Sequence, residues 1–94
     1  MFIVMADIQL KDGLESEFSE WFSESNKILS QLDGFVSRRL LKSQDNFYRI
    51  LLEHQNKETF EKMIDGKEHK ELNAEAVSFM VKSPTRLLYN VIVG

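Results

Sequence analysis

Three residues, Gln44-Asp45-Asn46, separate two apolar runs, Phe35–Ser43 and Phe47–Glu53, and this spacing constrains the chain more than anything else in it. A link so short joins its flanking strands as an antiparallel hairpin. The second run, F-Y-R-I-L-L-E, is rich in aromatic and branched residues and is bounded by Asp45-Asn46 and Gln55-Asn56, a strand signature. Ahead of the hairpin, Phe2, Val4, Ala6, Ile8 and Leu10 alternate with Ile3, Met5, Asp7 and Gln9, which predicts an opening strand with one more polar face. Lys11-Asp12-Gly13 is a turn, and Asp12 with Glu15 has the spacing of a capping box. Leu14, Phe18, Trp21, Phe22, Ile28, Leu29 and Leu32 then share an arc of ~120° on a long helix that Asp33-Gly34 ends. Fully burying each of these side chains contributes ~1.5–3 kcal/mol, which makes this helix a main determinant of the fold.

Behind the hairpin the period is helical again. Asn56 stands at an N-cap position, and Phe60, Met63 and Ile64 share a face. Past Gly66 the apolar face changes phase: His69, Leu72, Asn73, Ala76 and Met80 form a new stripe. Two helical pieces bent at Asp65-Gly66 account for this, because glycine weakens a helix and frees its backbone. The bend turns His69 and Asn73 inward, the most unusual residues on any face expected to be buried. Ser83-Pro84 forbids helix, and Arg86–Val93 reads as a fourth strand.

The order β-α-β-β-α-β predicts an α+β, ferredoxin-like domain over residues 1–94, an antiparallel four-stranded sheet with both helices on one face. Strands three and four are apolar on both faces, and two helices cover only one. A second copy of the chain is the simplest other cover, so the expectation is a homodimer, two sheets packed into an α+β barrel, with Leu51 and Leu88 facing the partner.

Composition excludes several classes. There is no cysteine, hence no disulfide framework or thiolate metal site, and the net charge of -3 disfavours nucleic acid and anionic membranes as partners. The hairpin's second strand also lacks the glycines and basic lead of an RNA-recognition sheet. Met1–Leu10 is interrupted by Asp7 and has no basic lead, so neither a signal peptide nor a membrane span is expected, and a cytoplasmic protein is.

Several short stretches together resemble the antibiotic-biosynthesis-monooxygenase-like domain of the dimeric α+β barrel proteins. They are the opening strand with Lys11-Asp12-Gly13, Gly34-Phe35-Val36-Ser37, Leu40-Leu41-Lys42-Ser43, Tyr48–Glu53, Lys57-Glu58-Thr59-Phe60 and Gly66-Lys67-Glu68-His69. The resemblance implies a monooxygenase or related enzyme acting on a small aromatic, phenolic or quinone-type compound. No cofactor is implied, with molecular oxygen as co-substrate. His69 matches a histidine that many members carry. Where the haem-degrading branch uses an asparagine, a tryptophan and a histidine, this chain has Ala6, Met63 and Asn73. The resemblance therefore does not extend to haem degradation by that mechanism. The alternative reading is a non-catalytic dimer, either one that binds a small ligand, haem included, or a purely structural module.

The residues assign a site accordingly. His69 is the candidate catalytic base, since its pKa lies near neutrality. Asn73, Leu72, Ala76, Val4 and Ala6 are the expected substrate-binding walls, with Trp21 from the first helix opposite. His54 reads as a loop-side surface residue where the family commonly has tryptophan, and a His54–His69 metal site lacks a third ligand. Arg38 and Arg39 point to opposite faces, and the one that enters the helix side or the dimer interior is expected to form an ion pair with Asp7, Glu53 or a ligand carboxylate.

Overall fold

A computed structural model describes residues 1–94. The elements run β1 (Phe2–Ile8), α1 (Glu15–Leu29), β2 (Phe35–Lys42), β3 (Tyr48–His54), α2 (Lys57–Asp65), α3 (Lys67–Ser78) and β4 (Thr85–Asn90). The sheet order is β2-β3-β1-β4 with every neighbouring pair antiparallel, the ferredoxin-like α+β plan. Its second helical element is broken as the phase change requires. Asn56 caps α2, its side-chain oxygen accepting the Thr59 N–H at 2.9 Å. Gly66 then leaves the helix with φ -75 and ψ 155 and separates α2 from α3. In the hairpin link, Asn46 takes the left-handed conformation, with φ 66.

Some boundaries differ from the sequence reading. The capping box does not form: Leu14 is the N-cap of α1 and provides no side-chain bond. Glu15 turns instead to the sheet edge, where it meets Lys42 Nζ at 2.8 Å and accepts the Tyr48 hydroxyl at 2.9 Å. The buried stripe of α1 is narrower than the apolar arc, comprising Phe18, Phe22, Ser25 and Leu29, while Ile28 is exposed. Phe47 lies in the exposed hairpin link. β4 stops at Asn90, and Val91–Val93 lie beyond it, held only where the Val91 N–H donates to the Met1 carbonyl at 3.0 Å.

Register separates the two faces. Phe2, Val4, Ala6 and Ile8 point at the helices together with Ile50 and Leu52, and all six are buried. Ile3, Met5 and Leu51 point away, with Leu41, Leu87 and Tyr89 on the same outer face. That face is crossed by two ion pairs, Arg49–Asp7 at 2.7 Å and Arg39–Glu53 at 3.0 Å. Leu88 was expected on this face and is not: it pairs with Val4 and so lies on the helix side, exposed because the helices stop short of β4.

The core between helices and sheet consists of two apolar patches. One holds Phe18, Phe22, Ala6, Ile50, Ala76 and Met80; the other holds Phe2, Val4, Leu29, Leu52, Phe60, Met63 and Leu72. Gly34 fixes the return from α1 to β2. Its φ is +79, and a Cβ there would collide with the Thr59 side chain. Gly13 has the same φ with nothing near it. Gly34→Ala is therefore expected to cost about 2 kcal/mol or more and Gly13→Ala about 1 kcal/mol, as read by urea unfolding. Equal losses would show that Thr59 yields without cost.

Candidate functional site

A cavity of about 70 Å³ lies where the two patches meet, between α3 and the inner face of β1 and β3. Val4 and Ala6 line it from β1, and His69, Leu72, Asn73 and Ala76 from α3. The break at Gly66 produces this geometry, because an unbroken helix would carry His69 round to another side. Trp21 is not a wall. It stacks on Phe18 at 5.5 Å between ring centroids and meets Phe79 at 5.9 Å, with the Arg38 guanidinium 6.0 Å from the indole.

His69 makes no hydrogen bond within the fold, yet no buried side-chain nitrogen lacks a partner, so its ring remains open to the cavity or its mouth. Burial, and then the charges of Arg86 and Arg38, push its pKa down to about 4. It is thus a neutral imidazole at neutral pH.

Two arginines complete the lining. Arg38 projects inward from β2, and Arg86, opposite Ala6 in the register, comes from β4. Arg86 Nη2 donates to Asn73 Oδ1 at 3.1 Å. Arg38 Nη1 donates to Ser25 Oγ at 2.7 Å and to Asn26 Oδ1 at 2.8 Å, and the guanidinium stacks 4.0 Å from the centre of the Phe22 ring. Burial lowers its pKa to about 10, which leaves it charged at neutral pH. The expected ion pair forms at Arg39, with Glu53, and not at Arg38. The sequence left open which of Arg38 and Arg39 points inward, and the polar acceptors Ser25 and Asn26 were not legible, since they sit inside a helix counted by its apolar residues.

His54 is a correction. It is fully buried, not a surface residue. Nδ1 lies 2.8 Å from Thr59 Oγ1 and Nε2 3.3 Å from Met63 Sδ, with Phe35 and Phe60 edge-on at 6.2 and 6.1 Å. The Thr59 hydroxyl gives its proton to the Asn56 carbonyl at 3.1 Å, which leaves Oγ1 to accept from Nδ1–H. His54 fills the space under α2 as an aromatic ring does, and burial lowers its pKa while Asp33 opposes that shift. No group of three or more His, Cys, Asp or Glu side chains is placed to hold a metal.

Both histidines titrate lower in the fold than the ordinary value of 6.5. Below about pH 6.5 the unfolded chain binds protons that the folded chain does not, so stability falls with pH until His69 itself protonates near 4. At about 1.4 kcal/mol per unit, His69 accounts for no more than about 3 kcal/mol of that loss. His69→Gln should lose less stability than wild type between about pH 7 and about pH 4.5 in urea titrations. An identical loss would mean that His69 is not desolvated.

The cavity under the broken second helix is lined by apolar side chains and a few convergent polar groups, and at about 70 Å³ is smaller than the few hundred Å³ usual for a ligand pocket. Residues 1–75 match the antibiotic biosynthesis monooxygenase family, and the chain belongs to it. Among curated proteins none matches. Solved structures extend the likeness in fold. A conserved protein from Methanosarcina mazei Go1 is 16% identical, with a TM-score of 0.84 over 95% of this chain and 90% of that one. Rv0793 from Mycobacterium tuberculosis is 11% identical, with a TM-score of 0.83 over 99% and 96%. SnoaB from Streptomyces nogalater, described as a cofactor-independent oxygenase, is 15% identical, with a TM-score of 0.81 over 99% and 95%. No helix of the chain is long and apolar enough to cross a membrane.

Proposed function

We propose that this single-domain protein is a homodimeric, cytoplasmic monooxygenase that oxidises a small phenolic or quinone-type compound, with molecular oxygen as co-substrate and no cofactor. The observation that carries the reading is the neutral, unpartnered His69 on the wall of an apolar cavity. Family membership and SnoaB's description point the same way.

His69 takes the phenolic proton, and the arginine charges favour the phenolate over the phenol. The electron-rich anion passes one electron to oxygen, and the radical pair joins at the ring carbon para to the oxygen as a peroxide anion, which takes the proton back from His69 to give the hydroperoxide. Loss of water leaves a quinone. The balance is one phenol and one oxygen molecule to one para-quinone and one water. Val4, Ala6, Leu72 and Ala76 shield the ring from water, and Asn73 holds Arg86 at the mouth.

The cavity's size favours one second reading. At about 70 Å³ it holds about two waters at ~30 Å³ each, so a ring enters only by displacing side chains. A non-catalytic binder of small ligands would have the same walls and no turnover. Oxygen uptake with a panel of phenols and hydroxyquinones separates the two: uptake with quinone formation supports the oxygenase, and binding without uptake supports the binder.

A further inference from the structure

Arg38 is a half-buried cation for which the fold supplies no anion. The carboxylates nearest the sheet are taken by Arg39, Lys42 and Arg49, at the edge or on the outer face. Ser25, Asn26 and the Phe22 ring aim the guanidinium, and Asn26 Nδ2 returns a bond to the Arg38 carbonyl at 2.9 Å, but all of these partners are neutral. Nη1 makes both side-chain bonds, so Nε and Nη2 donate to no protein atom. Since no buried side-chain nitrogen is without a partner, both retain access to open space, and Arg38 lines the cavity. Arg86 stands on the same cavity and likewise has only a neutral partner, Asn73. Two like charges on one small cavity repel each other, and the partial burial of Arg38 weakens the hydration that would offset it there, while Arg86 stays exposed. A bound anion relieves both.

We propose that Arg38 and Arg86 together grip the carboxylate of the substrate, which is an aromatic hydroxy acid with its ring against Leu72 and Ala76 and its hydroxyl towards His69. Ten of the fifteen lining residues are hydrophobic, which suits a singly charged aromatic acid and not a phosphate. Planar guanidinium groups match a carboxylate edge with paired N–H donors. Met63 and Met80, unbranched and adaptable, together with the exposed Arg86, are the side chains whose movement makes room for the ring. The hydroxyl's role rests on the oxygenase reading; the carboxylate's does not.

The test is equilibrium binding of 1-naphthoate against its neutral counterpart 1-naphthamide, with wild type, Arg38→Met and Arg86→Met. Wild type should prefer naphthoate by about tenfold or more, and each variant should lose the preference. Arg86 is exposed, so its variant keeps the test alive even if Arg38→Met does not fold. Bound naphthoate should also raise the His69 pKa from about 4, because Arg38 and Arg86 are the only other ionisable groups lining the cavity. Equal binding of the two probes overturns the proposal, as does a preference that survives in Arg86→Met, or no naphthoate binding at about 1 mM. Oxygen uptake is read separately with 1-hydroxy-2-naphthoate and 1-naphthol. Naphthoate binding without uptake leaves the carboxylate grip standing and removes the oxygenase reading. Uptake from 1-naphthol with no advantage to the acid removes the grip and leaves the oxygenase.

Discussion

His69→Ala is expected to lower turnover of a true substrate by ~10²–10⁴, the usual worth of a positioned general base, with fold and dimer intact. The fold should survive because His69 holds no hydrogen bond and is only partly buried. His54 provides the contrast. It is fully buried against Thr59, Met63, Phe35 and Phe60, so His54→Ala should unfold the protein more readily whatever it does to rate. The two variants together separate chemistry from structure: kcat is read on an oxygen electrode and stability by thermal unfolding. The pH profile carries the same information. Only neutral His69 accepts a proton, so the rate should fall on the acid side as it protonates, near pH 4 in the empty site. An anion held by Arg38 and Arg86 offsets their charges and moves that limb upward. A His69→Ala variant with wild-type rate and reduced stability would make the residue structural.

Leu87→Glu is expected to split the proposed dimer. Leu87, Tyr89, Leu51, Ile3 and Met5 lie together on the outer face, which the proposed dimer covers with a partner's sheet. An unpaired charge buried there costs about 3–5 kcal/mol, which weakens dimerisation by ~10²–10⁴. Wild type should sediment at twice 11.0 kDa at micromolar concentration, and the variant at 11.0 kDa. Leu51→Glu should act alike. Leu88→Glu should not, because Leu88 lies on the helix side of β4. A monomeric wild type, or a Leu87→Glu protein that stays dimeric, would remove the barrel arrangement.

Periodicity carried most of the fold. Alternation in Phe2–Ile8 placed β1 with the correct face inward, and the three-residue link placed the β2–β3 hairpin. The phase change at Gly66 predicted the break between α2 and α3, and with it the wall containing His69, Leu72, Asn73 and Ala76. Register and packing were less legible. Parity within β4 alone could not say which of Leu87 and Leu88 faces the helices, because that depends on pairing with β1. His54 looked like a surface residue because its partners, Phe35 of β2 and Thr59 and Met63 of α2, belong to two other segments. Trp21 lay on the apolar arc of α1, but it packs on Phe18 and Phe79 and does not line the cavity. Arg38 itself was narrowed to two faces and no further. Its cradle of Ser25 and Asn26 depends on where α1 crosses β2, which no local pattern encodes.

The most direct test of cofactor-free oxygenation at His69 is turnover under ¹⁸O₂ with a chelator present, using 1-hydroxy-2-naphthoate within a panel of phenols and hydroxyquinones, on wild type and on His69→Ala. The account predicts that a substrate is converted to its quinone with one ¹⁸O atom in the product and the other in water, and that His69→Ala forms little of it. Label arriving from water, dependence on an added metal or flavin, or equal product from His69→Ala would contradict it.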